Sequence, residues 1–128
     1  METIVHDPEA GIYATTDDYV HALEVRDPRR LLFVAGTMGL DAAGEPPPTL
    51  EAQLDRVWAN LRTILAAAGM TVENIVRVTS YLRDDSYAEA NGAARLAALG
   101  GRAVPTTAIV AGTLQDGWLV EIEAIAVA

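Results

Sequence analysis

Glu121 and Glu123 are the residues best placed to do chemistry, because they interrupt an otherwise aliphatic run and alternate with Val120, Ile122 and Ala124. Side chains on a strand point alternately to its two faces, so both carboxylates share one face and the aliphatic set the other. Two readings of such acids stand. One is a solvated sheet face; the other is a cleft carboxylate that positions water or takes a substrate proton. Tyr19 and His21 form a second pair, since alternation through Tyr19–Val25 places them on one face with Leu23 and Val25. His21 could act as a base near neutral pH, although a lone histidine more often serves a structural role.

Other chemistries lack their residues. The chain contains no cysteine, which removes thiolate nucleophiles and Cys-based metal sites. All nine basic residues are arginine, so no lysine is present to form a Schiff base. Two histidines, His6 and His21, are too few for a metal site of the usual kind, and no metal or cofactor is expected. A formal charge of −9 opposes the attraction to phosphate on which nucleic-acid binding rests, and opposes anionic membrane surfaces as well. No apolar run reaches membrane-spanning length. The first residues have neither a basic segment nor an apolar one, so no secretory leader is expected and the cytoplasm is the default compartment.

The elements that must position these residues are legible in outline. Glu2–His6 suits a short edge strand. Arg26-Asp27-Pro28-Arg29 reads as a turn joining Tyr19–Val25 to a buried strand at Leu31–Gly36, as a hairpin. Thr49 can cap a long amphipathic helix whose apolar stripe is Leu50, Leu54, Val57, Trp58, Leu61, Ile64, Leu65 and Ala68, ended by Gly69. Ile75–Leu82 is a β-branched strand. Ser86 with Glu89 has the spacing of a capping box that opens a second helix to about Leu99. Two closing strands flank the turn at Gln115-Asp116-Gly117. The order β-β-α-β-α-β-β predicts one domain over residues 1–128, an α+β two-layer fold with one mixed sheet and both helices on one face. The bare second face, carrying Leu119 and Ile125 with the two acids, predicts a homo-oligomer.

Four segments, in this order and spacing, resemble the YjgF/Rid (reactive intermediate deaminase) family: Ala67-Ala68-Gly69-Met70, Ile75–Leu82, Tyr87-Ala88-Glu89-Ala90-Asn91 and Val120–Ala126. The resemblance runs from about Tyr19 to the end of the chain. It implies a chorismate-mutase-like fold and a homotrimer whose sheets form a central barrel. Small-molecule clefts would lie between subunits, where typical members hydrolyse 2-imino or enamine acids to 2-keto acids and ammonia. Glu121 matches the family's water-positioning Glu and Tyr19 its early pocket Tyr. Asn91 matches the Asn of the second helix, and Gly36 the glycine of a Ser-Gly pair whose serine is here Ala35.

The largest departure follows Pro105. Where active members carry the arginine that grips the substrate carboxylate, this chain has Thr107, and the frequent cysteine two residues on is Ile109. A neutral hydroxyl replaces a charged bidentate fork. The resemblance, so altered, implies acid/base or hydrolytic chemistry on a larger or uncharged substrate and little activity on 2-iminopropanoate. The alternative is a trimer that binds a metabolite or protein without turnover. Arg77 and Arg102 are the arginines near enough in sequence to substitute, and both are expected on the surface.

Overall fold

The computed structural model describes residues 1–128. In chain order the elements are β1 (Glu2–His6), β2 (Ala22–Arg26), β3 (Leu31–Met38), α1 (Leu50–Ala67), β4 (Ile75–Leu82), α2 (Ala88–Ala98), β5 (Thr106–Val110) and β6 (Val120–Val127), with single 3-10 turns at Val72–Asn74 and Asp85–Tyr87. The main sheet is mixed, ordered β3-β6-β4-β5, with β6 antiparallel to both its neighbours and β5 parallel to β4. Both helices pack on one face of it, as the sequence pattern requires.

The expected first hairpin does not form. β2 pairs with β1 in a separate two-stranded sheet, and β3 pairs with β6. Asp27 adopts a left-handed conformation (φ 53°), Pro28 has no N–H to give, and the N–H groups of Arg29 and Arg30 both donate to Ala128 O at 2.8 Å. The chain is thereby handed to the C-terminal strand. That pairing puts Val34 in the core against α1, whereas β1 and β2 hold no buried side chain. Tyr19 lies before β2 and makes only an isolated parallel bridge to Val104. The two closing strands are likewise not partners, because β4 lies between them.

α1 begins as expected, with the Thr49 hydroxyl accepting from Ala52 N at 3.2 Å. It ends in a Schellman motif, in which Gly69 (φ +68°) donates to Ala66 O and Met70 N to Leu65 O, each at 2.9 Å. α2 is entered differently from the expectation: no side chain caps it, and it follows a 3-10 turn that Asp84 caps by accepting from Ser86 N at 2.9 Å. The core joins Leu54, Val57, Trp58, Leu61 and Leu65 of α1 to Val34, Val78, Val120 and Ile122 of the sheet. Ile64, assigned to the apolar stripe, is 37% exposed, while Gln53 takes a buried place. Leu61→Ala should therefore lower unfolding free energy by roughly 2–5 kcal/mol, and Ile64→Ala by well under half of that. Urea unfolding of the two variants checks the contrast.

Candidate functional site

The outward face of the sheet is where the chemistry-bearing residues collect. β6 sends Val120, Ile122, Ala124 and Ala126 into the core, all at most 4% exposed, and so turns Glu121 and Glu123 outward. Across the ladders, Glu121 sits between Met38 and Tyr81, and Glu123 beside Thr79. On β5, Thr107 pairs with Thr79 and Ile109 with Tyr81. Glu121, Tyr81, Thr79, Thr107 and Ile109 thus share this face.

Two bulges shape it. β3 carries one extra residue between Val34 and Thr37, which places Ala35 and Gly36 in the irregularity. There a Cβ added to Gly36 would lie 2.2 Å from Glu121 Oε2, so the Glu121 carboxylate occupies space that only a glycine leaves free. Ala35 is exposed beside it, and its carbonyl accepts from the Thr37 hydroxyl at 2.8 Å. The second bulge lies between Ile75 and Arg77 of β4. It lets Ile75 remain in the core and turns Arg77 outward, where its Nη2 donates to Thr107 Oγ1 at 3.0 Å. Arg102 goes elsewhere, donating to Val72 O at 2.8 Å.

Glu121 lines a recess of about 300 Å³ with Tyr81, Ala111, Gly112, Thr113 and Leu114. Arg83 holds the outer wall of this recess. Its guanidinium donates to Thr113 Oγ1 at 3.0 Å, Thr113 O at 3.2 Å and Asp116 Oδ1 at 3.1 Å. The Tyr81 hydroxyl donates to Glu123 Oε1. That bond, followed by burial and the charges of Glu123 and Glu121, raises the phenol pKa and keeps the proton on the oxygen.

Tyr19, His21 and Asn91 lie elsewhere. The Glu121 recess contains none of them. Asn91, on α2 and 1% exposed, has neither amide atom hydrogen-bonded. One turn along, Arg95 is 4% exposed and grips Asp18 Oδ2 at 2.5 Å, which anchors the segment that carries Tyr19. The Tyr19 ring meets His21 edge-on at 6.3 Å, and His21 Nε2 lies 2.9 Å from the Tyr13 carbonyl oxygen. No three His, Cys, Asp or Glu side chains converge as a metal site would need.

Tyr81, Asp18 and Arg95 are the additions the sequence reading missed, whereas Arg77 was weighed there as a substitute arginine and expected on the surface, where it lies. Alternation along β4 already put Arg77, Thr79 and Tyr81 on a common face. The four-residue spacing of Asn91 and Arg95 already put both on one side of α2. What was missing was the strand order that brings β4 beside β6 and β5.

Residues 11–128 match the family model described as endoribonuclease L-PSP. A protein of unknown function of the conserved Rid family from Yersinia pestis, YyfB, superposes with TM-score 0.86 over 100% of both chains at 29% identity. The chain belongs to the YjgF/Rid family. The Rid chain is also 35% identical over 117 residues to protein DfrA of Myxococcus xanthus, covering 85% of the chain and 84% of that relative. A shorter match, 43% identical over 54 residues, joins it to the RutC family protein YjgH of Escherichia coli and spans 42% of the chain and 41% of the relative. These relationships establish the chorismate-mutase-like α+β fold and support a small-molecule deaminase-like or binding role.

The anchor on the Rid chain's Tyr19 segment is sensitive to pH. Hydrogen bonding from Thr16, opposed by burial and aided by Arg95, lowers the Asp18 pKa. A carboxylate whose folded pKa is depressed contributes stability that is present above its unfolded value and is lost as pH falls through the folded one. Wild type should therefore exceed Asp18→Asn in melting temperature near neutral pH. The difference should vanish in acid, as a thermal-unfolding series across pH would register.

Proposed function

We propose that this Rid-family protein is a hydrolase of the imine or enamine deaminase type and that Glu121 positions the attacking water. The observation that carries the reading is the seat of the Glu121 carboxylate: it is held against Gly36, where a methyl group would displace it, and opens into a recess walled by Tyr81 and the 111–114 segment. A carboxylate in that place can accept a proton from water as its oxygen adds to an imine carbon. The resulting carbinolamine then collapses to a carbonyl product and an amine or ammonia.

The site is completed, in this reading, by a second copy of the chain. Tyr19 and Asn91 stand apart from Glu121 within one subunit, while Phe33 (72% exposed) and Ile109 (47%) leave the working face apolar around its acids. A homotrimer closed around the sheets would bury that face and bring the Tyr19 group of one subunit toward the Glu121 recess of the next. The small or uncharged side chains at Ala35, Thr107 and Ile109 suit a substrate bulkier than 2-iminopropanoate.

Loss of both the Ser hydroxyl at Ala35 and the Arg at Thr107 favours a second reading, a trimer that binds a metabolite without turnover. RNA, which the family model's description names as a substrate class, is opposed by the charge of −9 and the absence of lysine.

The deciding assay couples an amino-acid oxidase to the protein and follows imine loss for a series of 2-imino acids of increasing side-chain size. Acceleration is expected on the larger members and should fall roughly 10²-fold or more in Glu121→Gln. Gly36→Ala, which moves the carboxylate while the backbone stays, should lose activity with little change in melting temperature. Full activity in Glu121→Gln would refute the hydrolase. Keto-acid binding without any acceleration would leave the binding protein.

A further inference from the structure

The chain between β5 and β6 belongs to no helix or strand, yet it is firmly held. Its start is tied by Ala111 N, which donates to Leu82 O at 2.9 Å, and its end by Leu119 O, which accepts from Arg83 N at 3.1 Å. Between them the Arg83 guanidinium donates to Thr113 O, Thr113 Oγ1, Gln115 O and Asp116 Oδ1. The Thr113 hydroxyl in turn donates to Trp118 O at 2.6 Å. One arginine, just beyond the end of β4, thus clamps the outer wall of the Glu121 recess.

What this wall presents to the recess is apolar. Ala111, Gly112 and Leu114 line it, and Leu114 is 91% exposed although the segment that bears it is tied down. The polar side chains of the lining already have partners, Thr113 in Arg83 and the Trp118 carbonyl, Tyr81 in Glu123. Glu121 is left as the one lining side chain with a free polar group. At about 300 Å³ the recess reaches the lower end of the range of small-molecule sites. A Cβ added to Gly112 would meet no atom within 4 Å, and its φ is not left-handed, so this glycine leaves open space rather than relieving a strained backbone.

We infer that Ala111, Gly112 and Leu114 form a specificity-determining subsite for an aliphatic side chain of the substrate, and that Arg83 is the residue that positions it. This rests on the reading of Glu121 as the reacting centre, and it names the substrate class: imines that carry a plain hydrocarbon chain beyond the reacting carbon. A polar chain would lose its hydration against Ala111 and Leu114 and find no side-chain partner there. An aliphatic one takes Leu114 out of water. Because Arg83 has already ordered the wall, little conformational freedom is lost on binding. The carboxylate and the wall line one recess, so a single small molecule reaches both.

Calorimetric titration with 2-oxopropanoate, 2-oxobutanoate, 2-oxopentanoate and 2-oxohexanoate tests this in wild type, Gly112→Leu, Leu114→Ser, Arg83→Met and Arg83→Lys, each first checked for cooperative thermal unfolding. Wild-type affinity should rise about fourfold with each added methylene. In Gly112→Leu, whose new side chain fills the subsite, affinity should stay level or fall along the series. Leu114→Ser should cut the increment to about twofold per methylene. Arg83→Met should lose most of it and Arg83→Lys regain part, a dependence on chain length that lost stability alone would not produce. No binding, level affinity along the series in wild type, or the full increment in Gly112→Leu would each overturn the subsite, and the full increment in Arg83→Met would overturn the positioning role. Its fate separates from that of the hydrolase: length-dependent binding without imine turnover leaves the subsite and removes the enzyme. Imine turnover with the same kcat/KM for short and long chains does the reverse.

Discussion

The place of β6 between β3 and β4 is the constraint from which the rest of the structure follows. Its four inward side chains are buried under the helices, so a slip of one residue would turn Glu121 and Glu123 into the core and expose an aliphatic row. Burying two unpaired carboxylates costs more than a domain of this size has in total stability, so that register is closed off. A buried amide fixes where the strand starts. Gln53, 2% exposed on α1, donates to Pro47 O at 2.9 Å and Gly117 O at 2.8 Å and accepts from Leu119 N at 2.9 Å. The position of Glu121 is therefore a consequence of core packing.

The same physics explains what the sequence revealed. Period-two alternation along β6 and the three-and-four spacing along α1 are local patterns, and both elements form where they are read. Partner choice is not local. The turn at Asp27-Pro28 signals a reversal without saying which strand is met, and β3 goes to β6 because Val34 gains a core there. Ser86 and Glu89 have capping-box spacing, yet no side chain caps α2, because the chain enters it through a 3-10 turn that Asp84 caps. Glu121 and Gly36 were recognised as separate motif positions, and their contact needed the β3–β6 ladder. Arg77 was assigned to the surface, and it is exposed. Its bond to Thr107, a strand away and 30 residues on, depends on the β4–β5 pairing.

Charge on this face is arranged rather than scattered. Tyr81 occupies Glu123, Gly36 makes room for Glu121, and Thr107 orients Arg77 without neutralising it. Arg83 and Arg95 do structural work at a distance from the acids, one holding the recess wall and the other the Tyr19 segment. Within one subunit the Glu121 recess contains neither Tyr19 nor Asn91. The proposed activity requires that two copies of the chain close the gap.

Subunit mixing tests that requirement most directly. Glu121→Gln and Tyr19→Ala, each inactive alone, would be unfolded together, refolded at equal amounts and assayed for imine hydrolysis. A cleft shared between neighbours predicts recovery of up to about one quarter of the wild-type activity, the statistical share of interfaces that receive an intact Glu121 from one copy and an intact Tyr19 from the other. Hybrids as inactive as their parents would place both groups in the same subunit's site and contradict the account.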